Sequence, residues 1–452
     1  MELLEFQKKL FTLGEQQGFV DMELYYEHRE KFGCRIFEGE VDNYESSEVA
    51  GISFRGLYNG KMGYAFTEKI SEDSMDYLLE NAKDNAGIID DEEGEEIFSG
   101  SDSYRDLSFY AEPLDRVTIP EIMQFGLEVE KKILAFDKRV KTTNYFMLSR
   151  SSEERKLINS KGLQLGDKQN YFGMYVSVVV EDAGQVKTGS YECITKDFHS
   201  LNADEIAEKA AKEALDQLGS RSISNKRYPV ILRNDMAATM LQTFSQVFSA
   251  ENVQNGRSRL KDRIGTKIGV SSLQINDDPF LPDGIFSRTF DGEGVAAKEL
   301  QVVKDGQLLS LLHNRKTAKK AQTESTGHAY KSSYKDSISV SPSNFYIGAG
   351  EKSLDEMISM IHVGVLITDL TGLHSGANSV SGQFSLAAKG FYIVDGKVRS
   401  AVNQMTIAGD FFELINAIEV IGNDLEFVSP SMAPGYFGSP SLLVSNLSVT
   451  VD

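Results

Sequence analysis

Two short stretches hold residue types whose spacing could do chemistry. One is "FDGEGVAAKE", residues 290–299, where Asp291 and Glu293 stand two apart among glycines. In an extended chain their carboxylates would share a face. The other is "STGHA", residues 325–329, which sets His328 among glycine and small hydroxyl residues. The three side chains could form an acid–base or hydrogen-bonding cluster. The structural alternative is that the carboxylates satisfy loop amides and His328 only shapes a turn. Neither reading names a reaction.

Other signatures fail on physical grounds. "GEGVAA" (292–297) fits a loose G-x-G-x-x-A, but a dinucleotide site needs that turn between a strand and a helix, and a hairpin follows here. "GQVKTGS" (184–190) has P-loop spacing, yet Ser190 stands where the phosphate-binding lysine belongs, so it reads as a hairpin loop. No G-x-S-x-G elbow occurs. The histidines are His28, His199, His313, His328, His362 and His374. None belongs to H-E-x-x-H, and a lone histidine makes a poor zinc site because about three protein ligands are usual. His362 reads as the last turn of a helix, where an imidazolium suits the dipole.

The totals narrow the field. At 452 residues the chain should hold more than one compact unit. A formal charge of −20 argues against a nucleic-acid groove, which needs cations on phosphates. The basic segment "RKTAKK", residues 315–320, reads as a solvated helix face, and "DDEEGEE", residues 90–96, as an exposed loop. Two cysteines, Cys34 and Cys193, cannot build a disulfide framework and suit a reducing cytoplasm. The N-terminus lacks a signal-peptide pattern, and no run approaches the roughly 20 apolar residues of a membrane helix. A soluble cytoplasmic protein is expected.

The elements that would position these residues follow an α+β plan. A helix near 2–17 precedes strands in "VDMELYYE", "CRIFEG", "SEVAGISFRGLY" and "MGYAFTE", with Asn59-Gly60 as a hairpin turn, then a helix over about 73–86. A second round opens with a capping box at Thr118 and Glu121. Strands in "VKTTNYFML", "ERKLINS", "NYFGMYVSVVVED" and "QVKTGSYE" follow, then a helix over 203–218. Two helix–strands–helix units, 1–100 and 101–225, are therefore expected. A β-rich domain with antiparallel sheets should occupy 226–452, marked by hairpins at Asp305-Gly306 and Asp395-Gly396. Its helices are expected over 236–250 and from the capping box at Ser353 and Glu356 to Gly364.

The run "FDGEGVAAKELQVVKDGQLLSLLHNRKTAKKAQTESTGHA" resembles the central signature of the TldD/PmbA family, once called modulators of gyrase. "GVLITDLTGLHSGANSVSGQFSLAAKGFYIVDGKV", "MTIAGDF", "NAIEVIGNDLEF" and "GSPSLLVSNLSV" extend the match in order. The C-terminal half resembles the family nearly throughout, and the first two units fit its layout. The resemblance implies a two-subunit cytosolic protease. Its TldD-type subunit carries H-E-x-x-x-H on a helix and a late cysteine completing a zinc site. Its PmbA-type subunit, also called TldE, keeps the scaffold without that equipment.

This chain departs from the metal-bearing pattern twice. The matching helix reads "MLQTFSQVF", with Thr243, Phe244 and Phe248 near where histidines would stand, and "MAPGYFGSPS", residues 432–441, has no cysteine. It therefore resembles the metal-free partner. No cofactor is expected in this chain, and zinc is expected in a TldD-type partner. The implied role is to help enclose a peptide channel for unfolded or short polypeptides, with sheet edges holding an extended substrate. Asp291, Glu293 and His328 are the channel candidates. The alternative is a non-enzymatic binding or adaptor protein, with a homodimer as its form. A hydrolase built on the same three residues ranks last, since no activated nucleophile is identifiable.

Overall fold

The computed structural model describes residues 1–88, 95–431 and 433–451. Asp90 to Gly94 of the acidic run, and Met432, lie outside the described residues. Of that run, Glu95 is half-buried and Glu96 exposed.

The N-terminal half begins with α1 (Leu3–Gln16), β1 (Phe19–Phe37), β2 (Glu40–Tyr58), β3 (Lys61–Thr67) and α2 (Glu72–Ile88). It continues with a single turn α3 (Glu112–Asp115), α4 (Ile119–Phe136), β4 (Val140–Asn159), β5 (Gln164–Asp182), β6 (Gln185–Thr195) and α5 (Ala203–Leu215). The two helix–strands–helix units are joined edge to edge. β1 pairs with β4, giving one antiparallel sheet in the order β3-β2-β1-β4-β5-β6.

Each unit supplies three strands rather than four. "VDMELYYE" and "CRIFEG" are one continuous β1, and "VKTTNYFML" and "ERKLINS" are one β4. Polar residues between them ("HREK") suggest a break in the sequence, but they sit at an uncovered waist. Met22 and Leu24 at one end of β1 pack under α1 and α2, and Phe32, Cys34 and Ile36 at the other pack under α4 and α5. Pairing runs without a shift from Met22 to Arg35, so these even-numbered residues share one face. Thr118 and Glu121 close the expected capping box on α4.

The C-terminal half starts with β7 (Lys226–Leu232), α6 (Asn234–Phe244), α7 (Ala250–Gln254), β8 (Ile275–Asp277), β9 (Leu300–Lys304) and β10 (Gln307–Leu308). Next come α8 (Arg315–Ala321), β11 (Ala329–Tyr330), β12 (Ser339–Val340), β13 (Asn344–Ile347), α9 (Leu354–Ser359) and β14 (Val363–Thr371). The chain closes through α10 (Leu373–Gly376), β15 (Gln383–Val394), β16 (Lys397–Ala401), β17 (Met405–Asp410) and α11 (Phe411–Asn416). β18 (Ile418–Ile421), β19 (Glu426–Val428), β20 (Tyr436–Ser439) and β21 (Leu442–Val451) complete it. One sheet runs β14-β7-β21-β17-β15-β16, and the pairing of β14 with β15 closes it into a ring. A second runs β10-β9-β8-β13-β20-β19. Pairing is mainly antiparallel, but β7 with β14 and β13 with β20 are parallel. The hairpin turns at Asn59-Gly60, Asp305-Gly306 and Asp395-Gly396 all carry two positive φ angles, which suits the right-handed twist of the flanking strands.

Three expected helices are shorter. The one placed over 203–218 ends as α5 at Leu215. The one placed over 236–250 ends as α6 at Phe244, passes through a 3-10 turn at Ser245–Phe248 and restarts as α7. The Phe248 carbonyl accepts from Leu312 N at 2.9 Å and Ala250 N donates to the Leu312 carbonyl at 2.9 Å. Pairing with this segment takes the backbone groups that a continuous helix would need. α9 has its capping box at Ser353 and Glu356 but ends at Ser359, because the apolar run after His362 enters the closed sheet as β14. His362 is therefore not in a helical turn; its Nδ1 lies 2.5 Å from Asp395 Oδ1 on the surface.

Candidate functional site

The odd-numbered face of β1 is covered by loops of the C-terminal half. Tyr25 and Leu157 from the sheet form one apolar cluster with Phe290 and Tyr334. The segments 290–296 and 325–336 therefore form the seam between the two halves.

Asp291 and Glu293 do not lie in extended chain. Gly294 N donates to the Asp291 carbonyl at 3.1 Å, and Gly294 takes φ +83°, closing a tight turn bridged between Phe290 and Ala296. A Cβ at Gly294 would come within 2.7 Å of Leu163, so both the turn and the packing call for glycine. Asp291 Oδ1 accepts from the amides of Glu293 and Val295, each at 2.9 Å, and Oδ2 accepts from Ala329 N at 3.0 Å. It ties the turn to the strand that follows His328. Glu293 Oε2 accepts from Arg315 N at 2.8 Å, at the start of α8. Burial pushes both carboxyls up, Glu293 to about 7 with the charge of Asp291 adding to the effect.

His328 lies on the far side of the same loop. Its Nδ1 is 2.8 Å from Thr326 Oγ1, and its Nε2 is 3.0 Å from Asp277 Oδ1 on β8. No hydrogen bond closes that second contact. Burial opposes charge on Asp277, but His328, Arg288 and Ser343 outweigh it and hold the carboxyl below its ordinary range. The expected pairing of His328 with Asp291 or Glu293 is replaced by Asp277. The His328 amide donates to the His313 carbonyl at 3.2 Å.

The seam also buries charges that sequence reasoning missed. Arg55 Nε donates to Glu23 Oε1 at 2.7 Å. Arg155 holds Asp167 with two bonds of 2.6 and 2.7 Å, donates to the Phe290 carbonyl and lies over the Phe290 ring. Lys331 Nζ donates to Ser53 Oγ at 2.6 Å and to Tyr64 Oη, under the rings of Tyr25 and Tyr64. Burial pushes Lys331 down to about 7. Arg55 was the readable signal: it is the one cation in the otherwise apolar and small run "GISFRGLY".

Beside the seam opens a cleft of about 1070 Å³. Arg55, Tyr64 and Glu293 line it, with Lys61 on β3 and the basic face of α8. "RKTAKK" is thus a cleft wall rather than a plain solvated face, and its Lys316 and Lys319 lie 3.8 and 4.0 Å from Glu95 and Glu96. Of the three channel candidates, Glu293 lines the cleft. Asp291 and His328 are buried behind it.

At the positions on α6 and in the 3-10 turn after it where the resemblance puts zinc ligands, the donor set does not fit a metal. Phe244 is stacked on Phe411 at 4.7 Å, Phe248 packs on Phe345 at 5.5 Å, and the Thr243 hydroxyl donates to the Thr239 carbonyl. Aromatic rings offer no lone pair to zinc. Among the described residues, the one grouping of ligand-type side chains within coordination reach is His28, Glu30 and Glu48, on β1 and β2. No described helix is long and apolar enough to cross a membrane.

Residues 225–451 match the PmbA/TldA metallopeptidase C-terminal domain, 112–218 its central domain and 22–86 its domain 1. A Thermotoga maritima protein described as a candidate modulator of a DNA gyrase superposes with a TM-score of 0.92 at 30% identity, covering 99% of this chain and 100% of its own. TldE from Thermococcus kodakarensis shares the fold, with a TM-score of 0.89 at 22% identity, covering 98% of this chain and 100% of its own. The metalloprotease PmbA of Escherichia coli O157:H7 is 25% identical over 394 residues, 86% of this chain and 84% of that protein.

Proposed function

From the premise that this chain belongs to the PmbA/TldD metallopeptidase family, we propose that it is the non-metal subunit of a heteromeric TldD/TldE-type protease. The observation that carries this reading is the aromatic packing at the end of α6 and in the 3-10 turn that follows it. Where a metal-bearing subunit needs imidazoles, Phe244 and Phe248 fill the core, so the reactive metal has to come from a TldD-type partner. No catalytic step is assigned to this chain.

Its contribution is to the substrate path. The cleft at the seam is at the upper end of the roughly 300–1,000 Å³ of ligand pockets, and β3, the outer strand of the first sheet, borders it at Lys61 and Tyr64. An edge strand can hold extended peptide by main-chain hydrogen bonds, which tolerates many sequences. Unfolded or short polypeptides would enter; a folded domain would not. Glu293 faces the substrate, and Asp291 and His328 stiffen the wall. The pair would work in the cytoplasm, consistent with two free cysteines, one buried and one half-buried. The acidic balance supports no direct contact with DNA.

The test is reconstitution. This chain and a TldD-type subunit are purified, mixed and assayed on an unstructured peptide, with metal analysis of each chain and of the mixture. Hydrolysis is expected from the mixture, with zinc in the partner. Proteolysis by this chain alone that survives a chelator would overturn the proposal.

A further inference from the structure

The basic face of α8 already meets acidic residues of this chain. Ile97 is buried, the Phe98 carbonyl accepts from Asn159 Nδ2 at 2.7 Å, and Arg315 lies over the Phe98 ring, so residues 95–98 are fixed beside the helix. There Arg315 Nη1 donates to the Glu96 carbonyl at 2.6 Å. Lys316 and Lys319 stand 3.8 and 4.0 Å from the carboxylates of Glu95 and Glu96. A guanidinium on the main chain and ammoniums on the side chains would read an extended acidic peptide in the same way. Both lysine side chains are at least half exposed. Ion pairs at such exposure contribute little, so a peptide can replace them.

The cleft around the helix carries the same sign. Arg55 is engaged by Glu23, and Glu293 by the Arg315 amide. Among the described residues, the rest of the lining holds six cations, Lys61, Lys298 and the four on α8, against four glutamates. That excess lies in a chain of formal charge −20. Lys316, Lys319 and Lys320 are three and four apart, so they form one helix face.

We infer that this face of α8 selects peptides carrying glutamate or aspartate, which take the place that Glu95 and Glu96 hold on it. The chain's overall charge repels such a peptide at a distance, so the selection acts at short range and weakens as salt screens it. A nucleic-acid strand fits less well: the contact of Arg315 with the Glu96 carbonyl is one that a peptide main chain offers, and the glutamates of the lining would meet a phosphate at every nucleotide. This inference rests on reading the cleft as a peptide path and adds a charge preference to it.

The experiment measures binding of three unstructured peptides of one length to the full chain by calorimetry, at low and at high salt. They differ only in carrying glutamate, glutamine or lysine at the same positions. The glutamate peptide should bind about threefold to tenfold tighter than the glutamine peptide at low salt, the range of a few exposed ion pairs, and the gap should close at high salt. Lys316→Gln/Lys319→Gln/Lys320→Gln should erase the gap and leave the glutamine peptide's affinity unchanged. Glu95→Gln/Glu96→Gln should tighten the glutamate peptide by about twofold to fivefold. Equal binding of the glutamate and glutamine peptides, tighter binding of the lysine peptide, or a gap untouched by the lysine variant overturns the selection and leaves the peptide path standing. An unchanged affinity in the Glu95/Glu96 variant overturns the displacement. A single-stranded oligonucleotide that outcompetes the glutamate peptide would assign the face to nucleic acid and overturn the inference. Binding of none of the peptides overturns both the selection and the peptide path.

Discussion

Phe244 and Phe411 lie face to face, ring centroids 4.7 Å apart and 14° from parallel, with Phe384 edge-on at 6.2 Å. All three rings are buried in the largest core cluster. Phe244→His would exchange that packing for a polar ring with no second ligand on α6. A loss on the order of 2–4 kcal/mol is expected, read as a lower urea midpoint, with no zinc retained by the purified variant. Stoichiometric zinc in Phe244→His would show that the helix still sits in a ligand cage.

This helix also shows what the sequence could disclose. The missing histidines are visible in "MLQTFSQVF", because a side chain either has a lone pair for zinc or lacks one. The break after Phe244 was not visible, since it comes from pairing with Leu312, more than sixty residues away. The same distinction holds at the site. "FDGEGV" announces a glycine turn, and the role of Asp291 as an acceptor for amides is the structural alternative weighed at the outset. The partner of His328 was hidden because Asp277 lies in "INDDPF", which has no feature of its own. Lys331 stands two residues past "STGHA", but only the sheet's arrival over it makes it a buried cation. Local chemistry is written locally; burial is decided by what docks.

His328→Ala would leave the buried Asp277 with Arg288 and Ser343 alone to offset its burial. A destabilisation on the order of 2–4 kcal/mol is expected. Turnover by the reconstituted pair should fall through the loosened wall, while zinc in the partner stays unchanged. Zinc lost together with activity would mean that His328 reaches the metal.

Gly51 gives the seam its close approach. A Cβ there would lie 2.3 Å from two ring atoms of Tyr334, whose hydroxyl is tied to Glu68 at 2.7 Å. Gly51→Ala should therefore cost on the order of 1–3 kcal/mol by overpacking. Adding Tyr334→Leu should return part of it, so the pair should be less damaging than the sum of the singles. Strict additivity in thermal unfolding would remove this contact as the cause.

Lys331 makes the stability of the seam depend on pH in a defined direction. Glu23, Glu27, Arg55, Asp336, Tyr25 and Tyr64 surround it, and burial is the largest influence, setting its ammonium at about 7 against an ordinary 10.5. Below pH 7 both the folded and unfolded chains carry the charge, and the folded one bears the full penalty. As pH rises from 7 towards 10.5 only the unfolded chain stays protonated, so the penalty fades and stability rises. Glu27 and Glu293, pushed up by burial to about 7 from 4.5, act oppositely: their penalty appears as pH climbs from 4.5 to 7. Together these groups place a stability minimum near neutrality. Lys331→Met should raise stability by roughly 1–3 kcal/mol at pH 6, with the gain shrinking by pH 9.5. Urea midpoints of both proteins at pH 6, 7.5 and 9.5 measure it, and a gain that does not vary across that range would mean that Lys331 is not a desolvated ammonium.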